Sequence, residues 1–190
     1  MNKLNIFEKE LKYFNTENGK KSAMVAIENL PDYFFEVAAS STGKYHPSYS
    51  LGEGGLVRHT KAAMKLANEL LNNNSSITSF SEVEVDLILF SLLVHDGIKH
   101  GFIKDKYVKF EHPLLVNEFL DELKDKLYFS ENELKIIKGA IASHMGEWNT
   151  NNYSNVVLPV PKNKVEKFVH MCDFLASRKF IEVDLGGSNE

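Results

Sequence analysis

The chain has 190 residues, of which 43% are hydrophobic and 25% charged, and its formal net charge is −4. This composition is typical of one globular domain, and the acidic balance argues against a protein that coats nucleic acid without specificity. The single cysteine, Cys172, excludes an intrachain disulfide. We expect a cytoplasmic protein without a membrane partner, because no apolar run could span a bilayer and the N-terminus carries no secretory apolar core.

The N-terminal part of the chain is predicted to be helical, with one long loop. Hydrophobic spacing predicts short helices at residues 5–14 and 21–38 and a long helix at 56–73. Breaker residues predict a loop at 40–55. Pro31 should interrupt the second of these helices. We expect residues 1–50 to pack on a core formed by residues 51–181.

Two capping patterns mark helix starts in the remainder. Ser81 with Glu84 opens a helix that ends at His95, and Ser130 with Glu133 opens another. Gly97 is expected to be a left-handed C-cap residue. The later helices are predicted at 112–127, 131–145 and 162–181. Loops are predicted at 98–110 and 146–161. The tail 182–190 is expected to be flexible.

No segment alternates convincingly enough to require a sheet, although a two-stranded ribbon is an alternative at 103–109 or 155–160. No repeat and no low-complexity linker divides the chain. The predicted fold is therefore an all-α, single-domain helical bundle.

The pair His95-Asp96 follows the long apolar run 85–94, so both side chains are expected to be buried. Asp173 also lies within an apolar helical stretch. A buried carboxylate needs a cation or several hydrogen-bond donors. Hydrogen bonds within the protein are the structural alternative, and a divalent metal is the functional one.

Six side chains have the chemistry of a metal centre, and each lies on or beside its own helical segment: His59, His95, Asp96, His112, His144 and Asp173. Imidazole and carboxylate suit Mn, Fe, Ni, Co, Zn or Mg, whereas a zinc–cysteine structural site is excluded. We predict two divalent ions, with His59, His95, Asp96 and Asp173 on one and Asp96, His112 and His144 on the other. Such a pair can hold a phosphate oxygen and generate hydroxide near neutral pH.

Other side chains are weaker candidates for substrate contacts: Arg58, His100, Glu147, Trp148, His170 and Arg178. Trp148 and Glu147 could stack on and orient a base, the arginines could grip a phosphate, and His100 could protonate a leaving oxygen. For His100 the alternative is a surface histidine, and for the others it is ordinary packing or a structural ion pair. His46 has the same two interpretations as His100. Three loop lysines could attract a polyanion, although solvent-facing side chains are the simpler interpretation: Lys104, Lys106 and Lys109.

Taken together, the segments Gly54 to Thr60, Val94 to Asp96 with Lys99, His112, Ser143-His144 and His170 to Asp173 resemble the HD-domain metal-dependent phosphohydrolase superfamily. The spaced order H…HD…H…H…D is similar to the members with four histidines and two metals. The leading Gly-Gly-Leu-x-x-His-Thr most resembles the exonuclease and phosphodiesterase branch. One departure is that Gly97 precedes Ile98, which changes the usual order before the lysine.

This resemblance implies an all-helical core and a hydrolase that acts on a nucleotide or short oligonucleotide. It implies catalytic roles for Asp96 and for Lys99, which would stabilise charge on the phosphate. The expected reaction is cleavage of a phosphodiester by a metal-bound hydroxide. The alternatives are a nucleotide phosphatase or (d)NTP triphosphohydrolase, and a nucleotide-sensing module without turnover. The sequence predicts no oligomeric state.

Overall fold

The computed structural model describes residues 2–40, 43, 46–73 and 79–181, and in these residues the chain is helical. The seven α-helices are α1 Lys3–Ile6, α2 Glu17–Asn29, α3 Gly55–Asn73, α4 Glu82–Val94, α5 His112–Leu123, α6 Glu131–Ala142 and α7 Lys164–Ala176. Within the described ranges no strand forms, and Asn151 and Ser154 make an isolated bridge. The prediction of an all-α, single-domain bundle is confirmed, and the ribbon at 103–109 or 155–160 is wrong. The predicted flexible tail lies outside these residues.

The N-terminal helices differ from their predicted bounds. The segment 5–14 divides into α1 and a 3₁₀ turn at Glu10–Tyr13. Helix α2 begins earlier than expected because the Thr16 side chain accepts a hydrogen bond from the Gly19 N–H and so caps it. It ends at Asn29, since the residue before Pro31 takes an extended conformation. A 3₁₀ turn at Asp32–Phe35 follows where the prediction continued the helix.

Helix α4 lies at the centre of the bundle, where it packs against α2, α3, α6 and α7. Both capping predictions are confirmed, because Ser81 and Glu84 make a reciprocal capping box at α4, and Ser130 and Glu133 make another at α6. Nine successive residues of α4, from Asp86 to Val94, are buried, so this helix is enclosed on all sides. The N-terminal residues Phe7 and Phe34 lie in the same hydrophobic core.

Gly97 does not adopt the predicted left-handed conformation, and its φ is not among the positive values found at five other glycines. The chain instead continues from α4 through right-handed turns, beginning with His95 at φ −49° and ψ −36°. A Cβ at position 97 would lie 2.6 Å from Leu30 Cδ2. Close packing against the end of α2 therefore explains this glycine better than backbone handedness does.

The last three helices are shorter than predicted. A 3₁₀ turn, Lys124–Lys126, completes α5, while α6 stops three residues and α7 five residues before the expected ends at 145 and 181. The ends of α4 and α6 and the beginnings of α3 and α5 lie against one another, beside the C-terminal half of α7. In the part of the chain that the structure describes, no helix is both long and apolar enough to cross a bilayer.

Candidate metal centre

The structure brings together all six side chains proposed as metal ligands. His59 lies in the first turns of α3, and His95 and Asp96 follow α4 directly. His112 begins α5, His144 follows α6, and Asp173 lies near the end of α7. Five of the six side chains are exposed by 3% or less, and Asp173 is exposed by 17%. The centre is therefore buried and reaches solvent most nearly at Asp173.

One group of ligand atoms surrounds the Asp173 carboxylate. Its Oδ1 lies 2.9 Å from His59 Nε2 and 3.3 Å from His95 Nε2, and these two nitrogens are 3.3 Å apart. Asp96 Oδ2 lies 3.8 Å and 3.5 Å from the same nitrogens. Separations of about 3 Å are those of ligand atoms that share one ion with bonds of about 2.1 Å. His59, His95 and Asp173 form a group that could hold a metal ion, and Asp96 Oδ2 lies at the edge of this group.

A second group faces the other oxygen of the same carboxylate. Asp96 Oδ1 lies 2.9 Å from His112 Nε2 and 3.8 Å from His144 Nε2, and the two nitrogens are 3.3 Å apart. Asp96 thus presents one oxygen to each pair of histidines. The sequence predicted this division into two ligand sets. A further group that could hold an ion, His95, Asp96 and His144, joins members of both sets.

Three of the four histidines are oriented by the same backbone contact. The Nδ1 atoms of His95, His112 and His144 each lie 2.7 Å from the carbonyl oxygen three residues earlier, at Leu92, Lys109 and Ile141. Because a carbonyl can only accept, Nδ1 carries the proton and donates it there. In the neutral ring Nε2 then keeps its lone pair, and this lone pair points into the centre.

The atoms that meet in the centre are consequently acceptors with few donors among them. Asp96 Oδ1 is buried and lacks a hydrogen bond within the described residues, although His112 Nε2 lies close to it. Two lone pairs at 2.9 Å repel each other unless a proton or a cation lies between them. The donor set and its orientation therefore fit a divalent metal ion.

Without a cation, the same crowding shifts the ionisation of the centre. Burial opposes the charged form of Asp96, but Lys99 and His95 outweigh it and hold the pKa of this carboxyl well below its usual value. The pKa of Asp173 is lowered in the same way, by hydrogen bonds from His59 and His95 that outweigh burial. Burial and the charge of His95 lower the pKa of His144 to about 3. Burial also opposes protonation of His95, but Asp96 and Asp173 raise its pKa.

Lys99 lies at the edge of the centre, and its Nζ is 2.5 Å from Asp96 Oδ2. Its side chain is exposed by 11%, so the ammonium is held close to the ligands rather than free in solvent. The loop lysines behave differently. Lys104 pairs with Glu36 at 3.5 Å, and Lys109 pairs with Asp105 at 2.5 Å, so nearby carboxylates neutralise both.

His46 is a neighbour of the centre that the sequence did not distinguish from a surface histidine. Its ring lies 5.8 Å from the His59 ring, and its Nδ1 is buried without a hydrogen bond in the described chain. Burial, and then the charge of His59, lower the pKa of His46 to about 4. Because His46 lies beside Pro47 in a predicted loop, no helical periodicity indicated that its ring would lie near His59.

Arg58 and His100 make contacts of a structural kind. The Arg58 guanidinium donates to the carbonyl oxygens of Tyr49 and Leu51, and so ties the loop before α3 to that helix. His100 is buried, with Nδ1 2.9 Å from the Asp105 carbonyl oxygen and its ring against Tyr33. Nothing in these contacts directs either side chain at the metal ligands.

The remaining substrate candidates cluster beside α7. Trp148 packs against His170 and Phe174, and the Arg178 guanidinium lies close to the rings of Trp148 and Phe174. His170 Nδ1 donates to the His144 carbonyl oxygen at 2.7 Å. Glu147 is exposed on the turn that precedes Trp148.

Comparison with known proteins gives no relative from which a function could be transferred. No family model, no curated protein and no solved structure matches this chain. What is known of the chemistry of the centre therefore rests on its own residues.

Proposed function

We propose that the chain is a metal-dependent phosphohydrolase of the HD-domain type, which cleaves a phosphodiester in a nucleotide or short oligonucleotide. The observation that carries this proposal is the Asp96 carboxylate, whose two oxygens face two different pairs of histidines. A carboxylate shared in this way suits two divalent ions held side by side, an arrangement that recurs in enzymes of phosphate-ester hydrolysis.

The two proposed ligand sets have different capacities. His59, His95, Asp96 and Asp173 supply four donor groups to one ion, whereas Asp96, His112 and His144 supply three to the other. Three protein ligands leave a position for water or a phosphate oxygen, as catalytic sites require. Asp173 is polar and partly exposed, so a substrate could enter the centre from the side of this residue.

Bound divalent ions supply Lewis acidity toward phosphate oxygens and lower the pKa of water to near neutrality. The protein supplies the rest of the electrostatics. The Lys99 ammonium, fixed beside Asp96, adds a positive point charge where the non-bridging oxygens of a bound phosphate gain negative charge. Its charge also keeps Asp96 ionised and thus able to act as a ligand.

A nucleotide phosphatase or triphosphohydrolase is the second candidate, and the loop lysines favour it. Because Lys104 and Lys109 are paired with carboxylates, the loop offers less positive charge to a long polyanion than its sequence suggests. A small nucleotide needs less of that charge than an oligonucleotide does.

The test is a metal and substrate assay of the purified chain. We expect Mn²⁺ to bind with about two ions per chain and product to appear from at least one cyclic nucleotide, dinucleotide or short RNA. A parallel panel of nucleoside mono- and triphosphates distinguishes the second candidate. Metal binding without any turnover would instead favour a nucleotide-sensing module, and failure to bind metal would overturn the proposal.

Asp96→Asn is the informative variant. It should lower metal affinity by more than about 100-fold, because loss of a supporting contact behind a ligand already costs about 10- to 100-fold. The matched control is Asp86→Asn, which changes a buried carboxylate near the other end of α4, remote from the proposed ligands. Equal metal affinity in the two variants would contradict the role assigned to Asp96.

A further inference from the structure

Trp148, Phe174 and Arg178 form a stacked cluster on the segments that follow His144 and Asp173, which we call the aromatic platform. The indole and the Phe174 ring are nearly parallel, with an interplanar angle of 13° and 5.6 Å between centroids. The Arg178 guanidinium carbon lies 4.1 Å from the centroid of the Phe174 ring and 5.2 Å from that of Trp148. The Arg178 side chain is fixed there by hydrogen bonds to the Phe174 carbonyl oxygen and to Ser177.

The platform is attached to ligands of both proposed ions. Phe174 directly follows Asp173, and Trp148 lies on the turn that follows His144. His170 joins the two segments, since its Nδ1 donates to the His144 carbonyl oxygen and its ring contacts both Trp148 and Phe174. A Cβ at Gly146 would collide with the His170 ring, so the turn can pass this closely only with glycine.

Solvent reaches both the platform, at Trp148, and the centre, at Asp173, which is the most exposed of the six proposed ligands. Phe174 follows Asp173 in the chain and so connects the two. A substrate whose phosphate occupies the centre would therefore have its next part near this surface.

The exposure of Trp148 distinguishes the platform from ordinary core packing. Trp148 is 43% exposed although its ring is stacked against Phe174, whereas a tryptophan that only fills the core would be covered. A rigid indole beside a guanidinium offers π-stacking and a positive edge in one place. Planar nucleobases are bound on such surfaces, and every base has the π-face that stacking requires.

We infer that the aromatic platform is a base-binding subsite, which holds the nucleobase of a nucleotide whose phosphate lies at the metal centre. This inference rests on the proposed function for the position of the phosphate. It makes a further claim about the substrate, because a phosphate ester without a base would lose this contact. Stacking should confer little preference among bases, since it uses no hydrogen bond to a base edge.

Fluorescence provides a direct test, because Trp148 is the only tryptophan of the chain. We expect the methylenephosphonate analogue of AMP, which cannot be hydrolysed at its phosphonate, to quench the indole emission saturably in the Mn²⁺-loaded protein. Ribose 5-phosphate should displace the analogue without quenching. Saturable binding of the analogue with unchanged emission would overturn the inference, and so would a failure of the analogue to bind.

A set of variants measures the contribution of stacking to affinity. Trp148→Ala should weaken binding of the analogue by about tenfold and leave ribose 5-phosphate binding unchanged, whereas Trp148→Phe should retain most of the affinity. Tyr153→Ala is the matched control, since it removes an exposed aromatic side chain from the same loop. Equal affinity of the Ala variant and the wild type for the analogue would overturn the inference.

Failure of the subsite and failure of the proposed function are distinguishable. Hydrolysis of a nucleotide with no effect of Trp148→Ala on its KM would leave the phosphohydrolase proposal intact and overturn the subsite. Quenching by the analogue in a protein that hydrolyses no substrate would support the subsite and contradict the proposed enzyme.

Discussion

Helix α4 places a buried aspartate near each of its ends, and the two carboxylates have opposite surroundings. Asp86, in the second turn, is exposed by 1% and accepts hydrogen bonds from the Asn15 N–H, the Thr16 N–H and the Thr16 hydroxyl at 2.6–2.8 Å. Asp96, just beyond the other end, is exposed by 2% and faces four imidazole nitrogens and Lys99.

This contrast shows that burial of a carboxylate does not by itself identify a functional site. Asp86 is saturated by neutral donors, and its task is to fix the start of α2 against α4. Asp96 lies among atoms that mostly carry lone pairs, so its surroundings are complete only with a proton or a metal. The partners of a buried charge, rather than its depth, separate the two roles.

The largest effect on folding is expected at Asp86, whose carboxylate accepts three hydrogen bonds. Asp86→Asn should lower the free energy of unfolding by about 3 kcal/mol, because an amide cannot accept all the bonds that the carboxylate accepts and presents its own N–H groups to donors. Urea denaturation measures the change. Metal content per folded chain should stay at the wild-type value, and a loss of metal in this variant would remove the contrast between the two ends.

Metal addition should stabilise the folded protein through the proposed ligands around Asp96, which follows the other end of α4. At a free Mn²⁺ concentration about 100 times the Kd, the free energy of unfolding should rise by about 2.7 kcal/mol. Thermal denaturation with and without a chelator detects this shift. Asp86→Asn should respond as the wild type does, whereas Asp96→Asn should not respond. A similar response in both variants would show that the ion binds elsewhere.

The pH dependence of the metal-free protein should reflect the histidines around Asp96. His144 and His46 have pKa values lowered to about 3 and about 4, so the unfolded chain binds protons at these rings before the folded chain does. Stability should therefore fall as the pH decreases below about 6.5, the pKa of an unfolded histidine. His95 acts in the opposite direction, because its raised pKa stabilises the fold below that pH and the contribution is lost as pH rises.

Urea midpoints over a pH series test this expectation, with His46→Gln as the comparison. The variant lacks one of the two histidines that resist protonation, so its midpoint should fall less steeply between about pH 7 and about pH 5. Identical slopes in both proteins would contradict the buried, uncharged state of His46.

A smaller effect is expected at Cys172, the neighbour of Asp173. The thiol is fully buried, and burial raises its pKa, so alkylation requires local opening of α7. If Asp173 binds the ion, a metal concentration about ten times the Kd should slow alkylation about tenfold. Mass spectrometry follows the reaction at this single cysteine. Metal-independent labelling would show that the ion does not hold α7.

Several elements could be predicted from the sequence because their causes are local. The capping boxes at Ser81 and Ser130 and the buried run of α4 depend on neighbours within one helix. The role of Gly97 could not be predicted, since it depends on Leu30 from a distant helix. The early start of α2 likewise depends on its cap residue, Thr16, and on the contact of Thr16 with Asp86, which lies 70 residues away.

The candidate centre shows the same division. Residue types and helical positions were sufficient to choose His95 and Asp96, because a charged pair after a buried run has to find a partner. The proximity of His46 to His59 follows from the path of a loop, which no periodicity records. The structural contacts of Arg58 likewise depend on where that loop lies.

The repeated contact between Nδ1 and the carbonyl three residues earlier has a consequence for how such a centre can evolve. Each of these three imidazoles is oriented by a hydrogen bond within four consecutive residues of its own segment. Substitutions in the surrounding bundle can then accumulate without changing the orientation of the imidazoles, provided that the helix ends still meet. A side-chain geometry built from such self-contained segments tolerates extensive divergence of the scaffold around it.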